Sequence, residues 1–390
     1  MKSRLFYFFF LFSIILSFSQ QTKKDKLKEV LSISGYVKYL KTYSYSEKNL
    51  IGDNLIHNRI RLKADFSPEL TAVFEMRNRI FYGDITSKTL KFGELLDQDA
   101  GQVDLSFNTL NTTPMVINTI FDRAYLRYAA EKYQLTLGRQ RINWGVNLAW
   151  SPNDLFNAYS LLDFDYQERA GTDAIRFQYY TGDLSSIDLS IQPGQDLNKS
   201  IIGFLWKFNK WERDFQILAG NYYDDYVLGY GSEGTLFDKF GFKREVSYFV
   251  PKNRNRKSVT SMSTSIDYFF KNGVYINTSV LYNTNSKNKN LQSDDLFQSI
   301  IGSISVKNLM PSKWSYFIQV SGPFNPALNG SLSTFYIRGI ETLVIAPTLT
   351  YELEDNWEIM LLTQSAYGKI GNDSKNKGAA SFYLRLMRSF

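Results

Sequence analysis

The sequence predicts an all-β protein, a transmembrane antiparallel up-and-down β-barrel of about 16 strands, within a range of roughly 14 to 18. Three observations predict this class. The amino terminus reads as an export signal, several segments of about ten residues alternate apolar and polar side chains, and the last segment is a strand that runs to Phe390. In a closed barrel the last strand pairs with the first, so a strand at the carboxyl terminus fits this class.

The first 19 residues have the three parts of a signal peptide. Lys2 and Arg4 precede an apolar run from Leu5 to Leu16, and the small residues Ser17 and Ser19 follow it. The apolar run has about 12 residues and is shorter than the roughly 20 that a membrane-spanning helix needs. The sequence therefore predicts cleavage after Ser19, a short periplasmic lead over residues 20–30 and a single barrel domain over residues 31–390.

The composition favours a barrel over a bundle of membrane helices. Hydrophobic residues make up 44% of the chain and the mean hydropathy is -0.28, values too low for several continuous apolar spans. Aromatic residues reach 16%, and barrels place such residues in girdles at the two lipid interfaces. The chain has no Cys, which excludes disulfides, thiolate metal sites and a lipoprotein anchor.

Alternation with a period of two is clearest in two neighbouring segments. Between residues 56 and 66, one face is mostly apolar and the other is polar, and the polar face holds His57, Arg59, Arg61, Lys63 and Asp65. A tight turn at Ser67-Pro68-Glu69 leads to a second such segment, with Glu75, Arg77 and Arg79 on its polar face. These segments are predicted to form a hairpin of the barrel wall. A soluble sandwich would show the same alternation, and the export signal and Phe390 decide against it.

Connection lengths give the strand count, because outer-membrane barrels alternate short periplasmic turns with longer external loops. Long polar stretches lie near residues 84–117, 145–169, 228–257, 286–295, 322–334 and 369–377. The short connections between them are predicted at residues 67–69, 131–132, 181–183, 209–213, 271–273, 310–313 and 354–356. This alternation gives about 16 strands. Residues 235–250 have two interpretations, either a hairpin within a loop or additional wall.

The predicted inner faces of the first half of the barrel carry many arginines. They are Arg59, Arg61, Arg77, Arg79, Arg123, Arg127 and Arg176, beside Tyr125 and Gln178. Rows of Arg select for anions, since the guanidinium presents forked donors that match carboxylate or phosphate oxygens. In the alternative interpretation, these arginines pair with luminal acids such as Asp65 and Glu75 and only stiffen the wall.

The most distinctive local sequence runs from residue 137 to residue 176. It contains Leu-Gly-Arg-Gln-Arg-Ile-Asn-Trp-Gly from Leu137, then Ser-Pro-Asn-Asp from Ser151, then Arg-Ala-Gly-Thr-Asp-Ala from Arg169. Over roughly residues 118–182 this pattern resembles single-chain porins of the alginate-export and phosphate-selective superfamily. The resemblance implies an arginine-lined eyelet for acidic solutes, with Arg139, Arg141, Arg169 and Arg176 on motif positions.

The register of Arg139 poses a physical problem. Tyr133, Leu135 and Leu137 point to lipid, and strict alternation sends Arg139 and Arg141 the same way. Either a bulge at Gly138 turns these arginines into the pore, or they lie above the hydrocarbon band.

The connection that follows is too rich in aromatic residues for a solvated external loop, and we expect it to fold inward or to pack on the rim. Its acids would then face the arginines across a constriction. These acids are Asp154, Asp163, Asp165, Glu168 and Asp173. The alternative is a loop closed by salt bridges for stability alone.

Other function classes find little support in the sequence. The single His57 lies between arginines that would disfavour an imidazolium, so a Ser-His-Asp site is not expected and no catalytic residue is predicted. The sequence has no pair of His residues, no calcium-loop spacing and no phosphate-binding Gly-rich motif. No metal or cofactor is therefore predicted. Nucleic-acid binding has no support beyond a basic pI.

We therefore expect an outer-membrane channel for passive diffusion of small hydrophilic solutes, anionic or acidic saccharides among them. The alternatives are an export barrel with a periplasmic partner and a closed structural barrel. The expected partners are outer-membrane lipid, small solutes and the barrel-assembly machinery, which would recognise the terminal strand ending at Phe390. The sequence shows no patch that indicates an oligomeric state.

Overall fold

A computed structural model describes residues 30–46, 49–97, 99, 101–159, 169–286, 304–369 and 376–390. The predicted signal peptide over residues 1–19 and nearly all of the lead over residues 20–30 lie outside the described residues. Within the described parts of the chain, nineteen strands form one antiparallel sheet, and eighteen of them form the barrel wall.

The strands are numbered in chain order. They are β1 Leu31–Ser46, β2 Asn49–Asp65, β3 Leu70–Gly83, β4 Ser106–Asn111, β5 Met115–Ala129, β6 Tyr133–Gln140, β7 Thr172–Gly182, β8 Ser185–Gln192, β9 Ile201–Lys210, β10 Arg213–Tyr222, β11 Asp225–Leu236, β12 Phe240–Pro251, β13 Val259–Phe269, β14 Tyr275–Asn283, β15 Trp314–Pro323, β16 Leu328–Ile337, β17 Thr342–Glu354, β18 Trp357–Lys369 and β19 Asn376–Ser389. Two short helices, α1 Asp84–Lys88 and α2 Phe92–Leu96, follow β3, and 3-10 turns occur at Leu197–Lys199 and Arg338–Ile340.

The barrel closes between its first and last strands. β1 pairs antiparallel with β19 from Tyr36 opposite Ser389 to Ser46 opposite Ala379. Beyond the last paired residue, Gly35 and Phe390 exchange two backbone hydrogen bonds, with N–O distances of 2.9 and 3.0 Å. A Cβ on Gly35 would lie within 2.9 Å of the Phe390 ring, so glycine leaves room for this aromatic side chain at the seam.

β4 lies outside the closed ring of strands. It pairs with the amino-terminal half of β5, from Ser106 opposite Ile120 to Asn111 opposite Val116. β6 pairs with the carboxyl-terminal half of β5. On its other edge β5 pairs with β3 along its whole length. β4 and β6 thus pair with the same edge of β5, and β4 lies at the end of the barrel that carries the long loops.

Alternation places the side chains as the sequence predicted. Tyr39, Tyr133 and Trp206 are among many large apolar residues exposed on the outer face, whereas Lys38, Arg59 and Glu75 are buried on the inner face. An apolar outer face on a closed barrel is a surface for lipid, so this is a membrane-spanning barrel. In the described residues, no helix is long and apolar enough to cross a membrane.

The predicted number of about 16 strands is too low by two, because the short turn between β11 and β12 was not recognised. Residues 228–257 were predicted as a long external stretch, but β11 and β12 form a wall hairpin joined by residues 237–239. Phe237 and Asp238 both adopt positive φ values, 55° and 52°, a geometry that a Gly or Asn usually marks in sequence. The second interpretation of residues 235–250, additional wall, is the correct one.

The turn between β15 and β16 was also misplaced. Residues 322–334 were predicted as an external stretch, but residues 324–327 form a short turn in which Asn325 Oδ1 accepts from the backbone N–H groups of Ala327 and Leu328. Residues 310–313, predicted as a short periplasmic turn, lie at the opposite end of the barrel, just before β15 begins. Eight short turns thus lie at one end, the end that faces the periplasm in such barrels.

Candidate functional site

The connection between β6 and β7 folds into the barrel. Ile142 and Trp144 have no exposed surface, and residues 149–157 are all buried. The partners of these side chains come from the inner faces of β8 to β18. We call residues 141–159 the inward loop.

Trp144 anchors the first half of the inward loop. Its indole Nε1–H donates to Asp188 Oδ2 on β8 at 3.1 Å, and its ring meets Phe156 edge-on with centroids 5.0 Å apart. Opposite the ring lies Gly203 on β9, where a Cβ would come within 2.4 Å of Trp144. A glycine in the wall therefore provides the space that this side chain fills.

Trp150 anchors the second half against another part of the wall. Its ring packs edge-on against Phe317 of β15 and Phe335 of β16, with centroids 6.2 and 6.3 Å apart. Leu281 and Val344, both without exposed surface, complete this cluster. Because the two tryptophans bind separate parts of the wall, the inward loop lies across the inner surface from β8 to β17.

Wall side chains also satisfy the polar groups of the loop. Gln216 Nε2 donates to the carbonyl oxygen of Trp144 at 3.1 Å, and Ser265 Oγ donates to Asn147 Oδ1 at 2.7 Å. Such bonds are needed because buried backbone and amide groups left without a partner cost about 1–3 kcal/mol each.

A second inward segment, residues 304–313, packs beside the loop. Val306 joins the cluster around Trp144, and Leu309 and Met310 join the cluster around Trp150. Lys307 Nζ contacts Asp225 Oδ2 at 2.5 Å at the start of β11. Residues 310–313, predicted as a periplasmic turn, thus belong to a segment that packs inside the barrel.

Arginines do collect on the inner faces of β2, β3 and β5, and several of them are paired. Arg59 contacts Glu75 at 2.7 Å and Asp122 at 2.9 Å, and Arg77 contacts the other oxygen of Asp122 at 3.1 Å. Arg61 contacts Glu75 at 3.2 Å. The interpretation in which luminal acids stiffen the wall therefore holds for Arg59, Arg61 and Arg77.

Three further arginines of these strands donate hydrogen bonds to neutral acceptors. Arg79 donates to Asn118 Oδ1 at 2.7 Å, and Arg123 donates to the carbonyl oxygens of Asp122 and Arg169 at 2.7 and 2.6 Å. Arg127 donates to the Tyr125 hydroxyl at 3.3 Å. On β7, Arg176 instead forms an ion pair with Asp188, with Nη2–Oδ2 at 2.5 Å.

Arg139 lies within the barrel wall, not on the pore surface that the motif resemblance implied. Its guanidinium contacts Asp173 and Asp99 at 2.7 Å each, and it also donates to the carbonyl oxygens of Val103 and Phe121. Only 2% of the side chain is exposed. Gly138 has a φ of 110°, yet the pairing with β5 and β7 continues without a register shift. The side chain fills the gap between the end of β6 and the start of β4.

Arg141 and Arg169 take different positions beyond the strand. Arg141 is exposed, whereas the next residue, Ile142, packs on the inner wall, so we assign Arg141 to the luminal side of the inward loop. Arg169 is partly buried, lies 3.4 Å from Asp154 Oδ2 and covers the ring of Tyr159. Burial lowers the pKa of Arg169 from its ordinary value.

The described acids of the predicted constriction do not face the arginines across the lumen. Asp154 is buried within the inward loop, where its Oδ1 accepts from the Trp144 backbone N–H at 3.2 Å, and burial raises its pKa to about 7. Asp173 binds Arg139 in the wall. Asp163, Asp165 and Glu168 lie outside the described residues. The predicted arrangement of opposed charges is therefore wrong for Asp154 and Asp173.

Access to the lumen differs between the two ends. Near the short turns the inward side chains of Arg61 and Lys63 are 47% and 39% exposed, whereas Lys38, higher on the same wall, has no exposed surface. The inner face of this wall is thus more exposed at the short-turn end than at Lys38. In the described parts of the chain, no group of three His, Asp or Glu side chains is placed to hold a metal ion.

Sequence reasoning missed three polar wall residues that contact the loop or its surroundings: Asp188, Gln216 and Glu245. Each has inward parity and is buried. The available signal was a charged or amide residue among the Ser and Gly residues of an inward face, as at Glu245 and Ser247. That signal does not reveal which loop the side chain meets.

The sequence matches no protein-family model. No curated protein matches it. Solved structures do match in fold. OccK11 (OpdR) of Pseudomonas aeruginosa has a TM-score of 0.57 at 10% identity, with 92% of this chain and 96% of that chain covered. OccAB4 of Acinetobacter baumannii has a TM-score of 0.56 at 11% identity, with 95% and 99% covered. The outer membrane protein opdK from Pseudomonas aeruginosa has a TM-score of 0.56 at 9% identity, with 92% and 98% covered.

The chain has the Occ-type barrel fold. At these identities the likeness concerns the fold, and the likeness extends over nearly the whole of both chains. It agrees with the predicted class, an antiparallel β-barrel of the outer membrane.

Proposed function

We propose that this protein is an outer-membrane channel through which small hydrophilic solutes diffuse passively, with a preference for anionic solutes, acidic saccharides included. One observation carries the proposal: a closed barrel of eighteen strands holds a charged interior that the inward loop narrows. Barrels of about this size enclose an aqueous channel instead of a side-chain-filled core. The fold likeness to an outer membrane protein, opdK, agrees with this placement.

The anion preference rests on two guanidinium groups. Among the described residues, neither Arg127 nor Arg141 forms an ion pair, and Arg141 is exposed on the luminal side of the inward loop. A guanidinium without a carboxylate partner keeps its forked donors for a solute carboxylate or phosphate.

The acidic-saccharide preference is the finer part of the proposal. It comes from the resemblance of residues 118–182 to porins of the alginate-export and phosphate-selective superfamily. Of the four motif arginines, Arg141 supports this preference best, because Arg139, Arg169 and Arg176 each contact a carboxylate of the protein itself.

Swelling of proteoliposomes tests the proposal. Glucose and glucuronate have nearly the same size and differ in charge, so the ratio of their uptake rates reports charge preference at constant aperture. The wild type should admit both and favour glucuronate, and Arg127→Gln with Arg141→Gln should lower the glucuronate rate alone. The matched control is Arg244→Gln, which removes an exposed arginine whose parity on β12 points to lipid.

Each other result has a defined meaning. Equal loss of both rates in the double variant would indicate a change of aperture and would contradict the charge preference. If neither solute enters through correctly assembled wild-type barrels, the passive channel is wrong, and a closed structural barrel or an export barrel that needs a periplasmic partner takes its place.

A further inference from the structure

We infer that Glu245 on β12 is the residue that positions the inward loop, and that it thereby determines the aperture of the channel. This inference rests on the proposed channel function and adds to it a residue that never contacts the solute. Glu245 has no exposed surface, and it lies on the inner face midway between the walls that hold Trp144 and Trp150.

The Glu245 carboxylate accepts four hydrogen bonds, all from the inward loop. Oε1 accepts from the backbone N–H groups of Val146 and Asn147 at 2.6 and 2.7 Å and from Asn147 Nδ2 at 3.2 Å. Oε2 accepts from the backbone N–H of Asn153 at 3.0 Å. One side chain thus holds both ends of the segment 146–153.

The chemistry of these donors requires an acceptor without hydrogens. Within the described residues no cation is ion-paired with Glu245, so its charge is balanced by N–H dipoles of the loop. The segment has no regular secondary structure, and its buried N–H groups have no strand or helix partner. A glutamine would keep the shape of the side chain but would replace one accepting oxygen by an NH2 group that repels these donors.

Two serine contacts keep the same segment against the wall. Ser247 Oγ donates to Asn153 Oδ1 at 2.7 Å, and Ser265 Oγ donates to Asn147 Oδ1 at 2.7 Å. Hydroxyl groups to a neutral amide contribute less than hydrogen bonds to a charged group, so Glu245 is the strongest polar restraint in the middle of the loop.

The loop position sets the aperture because its two faces differ. Ile142 and Trp144 pack on the wall, whereas Arg141, Asn143 and Leu148 are exposed. A loop released at its middle would carry these exposed side chains with it and change both the width of the passage and the place of Arg141.

Single-channel recording of the full-length, signal-processed protein tests the inference with Glu245→Gln. Loss of a charged acceptor should raise the population of displaced loop states at least about tenfold, seen as more frequent current transitions. Glu233→Gln is the matched control, since Glu233 lies on the same inner wall and is paired with Lys243 at 2.7 Å. Glu233→Gln should behave as the wild type does.

A disulfide then separates loop displacement from a general defect. The chain has no Cys, so Asn153→Cys with Ser247→Cys introduces the only possible pair. Added to Glu245→Gln, the oxidised pair should restore steady current, and a reductant should bring the transitions back. If Glu245→Gln conducts with wild-type steadiness, or if the disulfide changes nothing, the inference is wrong.

Two further outcomes concern a variant that does not assemble and a wild type that does not conduct. If Glu245→Gln does not assemble, Asn147→Ala removes one of the four hydrogen bonds, and wild-type steadiness in that variant would overturn the inference. If the wild type passes no current at all, the channel function fails. In that case rapid disulfide formation between positions 153 and 247 still reports whether the loop lies where Glu245 holds it.

Discussion

The indole of Trp144 donates to Asp188 at 3.1 Å, and the same carboxylate oxygen accepts from Arg176 Nε at 2.8 Å. One acid on β8 therefore joins the inward loop to an arginine that the sequence placed in the pore. Through Asp188, Arg176 therefore contributes to the packing of the inward loop. Loss of Trp144 should therefore disturb the first half of the inward loop.

Trp144→Ala should destabilise the protein by about 3–5 kcal/mol, because it removes a fully buried aromatic side chain and leaves a cavity. Urea unfolding in detergent micelles measures this. The control is Trp211→Ala, at a turn where the side chain is 75% exposed, which should cost less than about 0.5 kcal/mol. Similar losses in the two variants would contradict the anchoring role of Trp144.

Gly203→Ala should displace the loop without removing any loop atom. A Cβ at this position would lie 2.4 Å from Trp144 Cη2, so the ring must move away from β9. We expect a change in single-channel conductance together with a loss of stability of about 1–3 kcal/mol. Gly378→Ala is the control, since its nearest neighbour would lie at 3.8 Å. Unchanged conductance in Gly203→Ala would argue against this fit.

Asp154 should make stability depend on pH. Burial raises its pKa to about 7, while an unfolded chain has a value near 4. Between these values the folded protein holds a proton that the unfolded chain has lost. The contribution of Asp154 is therefore fully present below about pH 4, is lost as the pH rises and reaches its lower limit above about pH 7.

Asp154→Asn removes this titration and should flatten the pH dependence. The wild type should lose more unfolding free energy between pH 5 and pH 8 than the variant does, as measured by urea unfolding at the two pH values. The same pH slope in both proteins would show that another group is responsible.

Arg139→Ala should destabilise the barrel by about 3–5 kcal/mol without changing ion selectivity. The change leaves the carboxylates of Asp99 and Asp173 without their partner in the wall. Thermal unfolding in micelles and a reversal potential measure the two effects. Arg256→Ala, at an exposed ion pair with Asp224, should be nearly silent in both. A lost anion preference in Arg139→Ala would place this side chain in the pore after all.

Much of the wall could be predicted from the sequence, because parity in a strand follows directly from alternation. The hairpin of β2 and β3 was predicted with its faces, and Arg59 and Arg77 lie on the inner side accordingly. The turn at Phe237 and Asp238 was not recognised, because a bulky Phe rarely adopts positive φ and no Gly accompanies Asp238. Two strands were lost from the count for that reason.

The site was less predictable, because it depends on contacts between distant segments. The aromatic content of the β6–β7 connection indicated inward folding, and Trp144 and Trp150 do pack inside. Arg139 binds Asp99 and Asp173, and Asn147 binds Glu245, which is 98 residues away in the sequence. No local pattern gives such pairings, so the sequence could not show that Asp173 binds Arg139 within the wall.

The most direct test of the account is the reversal potential of wild-type channels in a planar bilayer across a potassium chloride gradient. The account predicts a stable open channel whose reversal potential shows preference for chloride, since Arg127 and Arg141 have no described carboxylate partner. A channel that prefers potassium, or a correctly assembled barrel that passes no current, would contradict it.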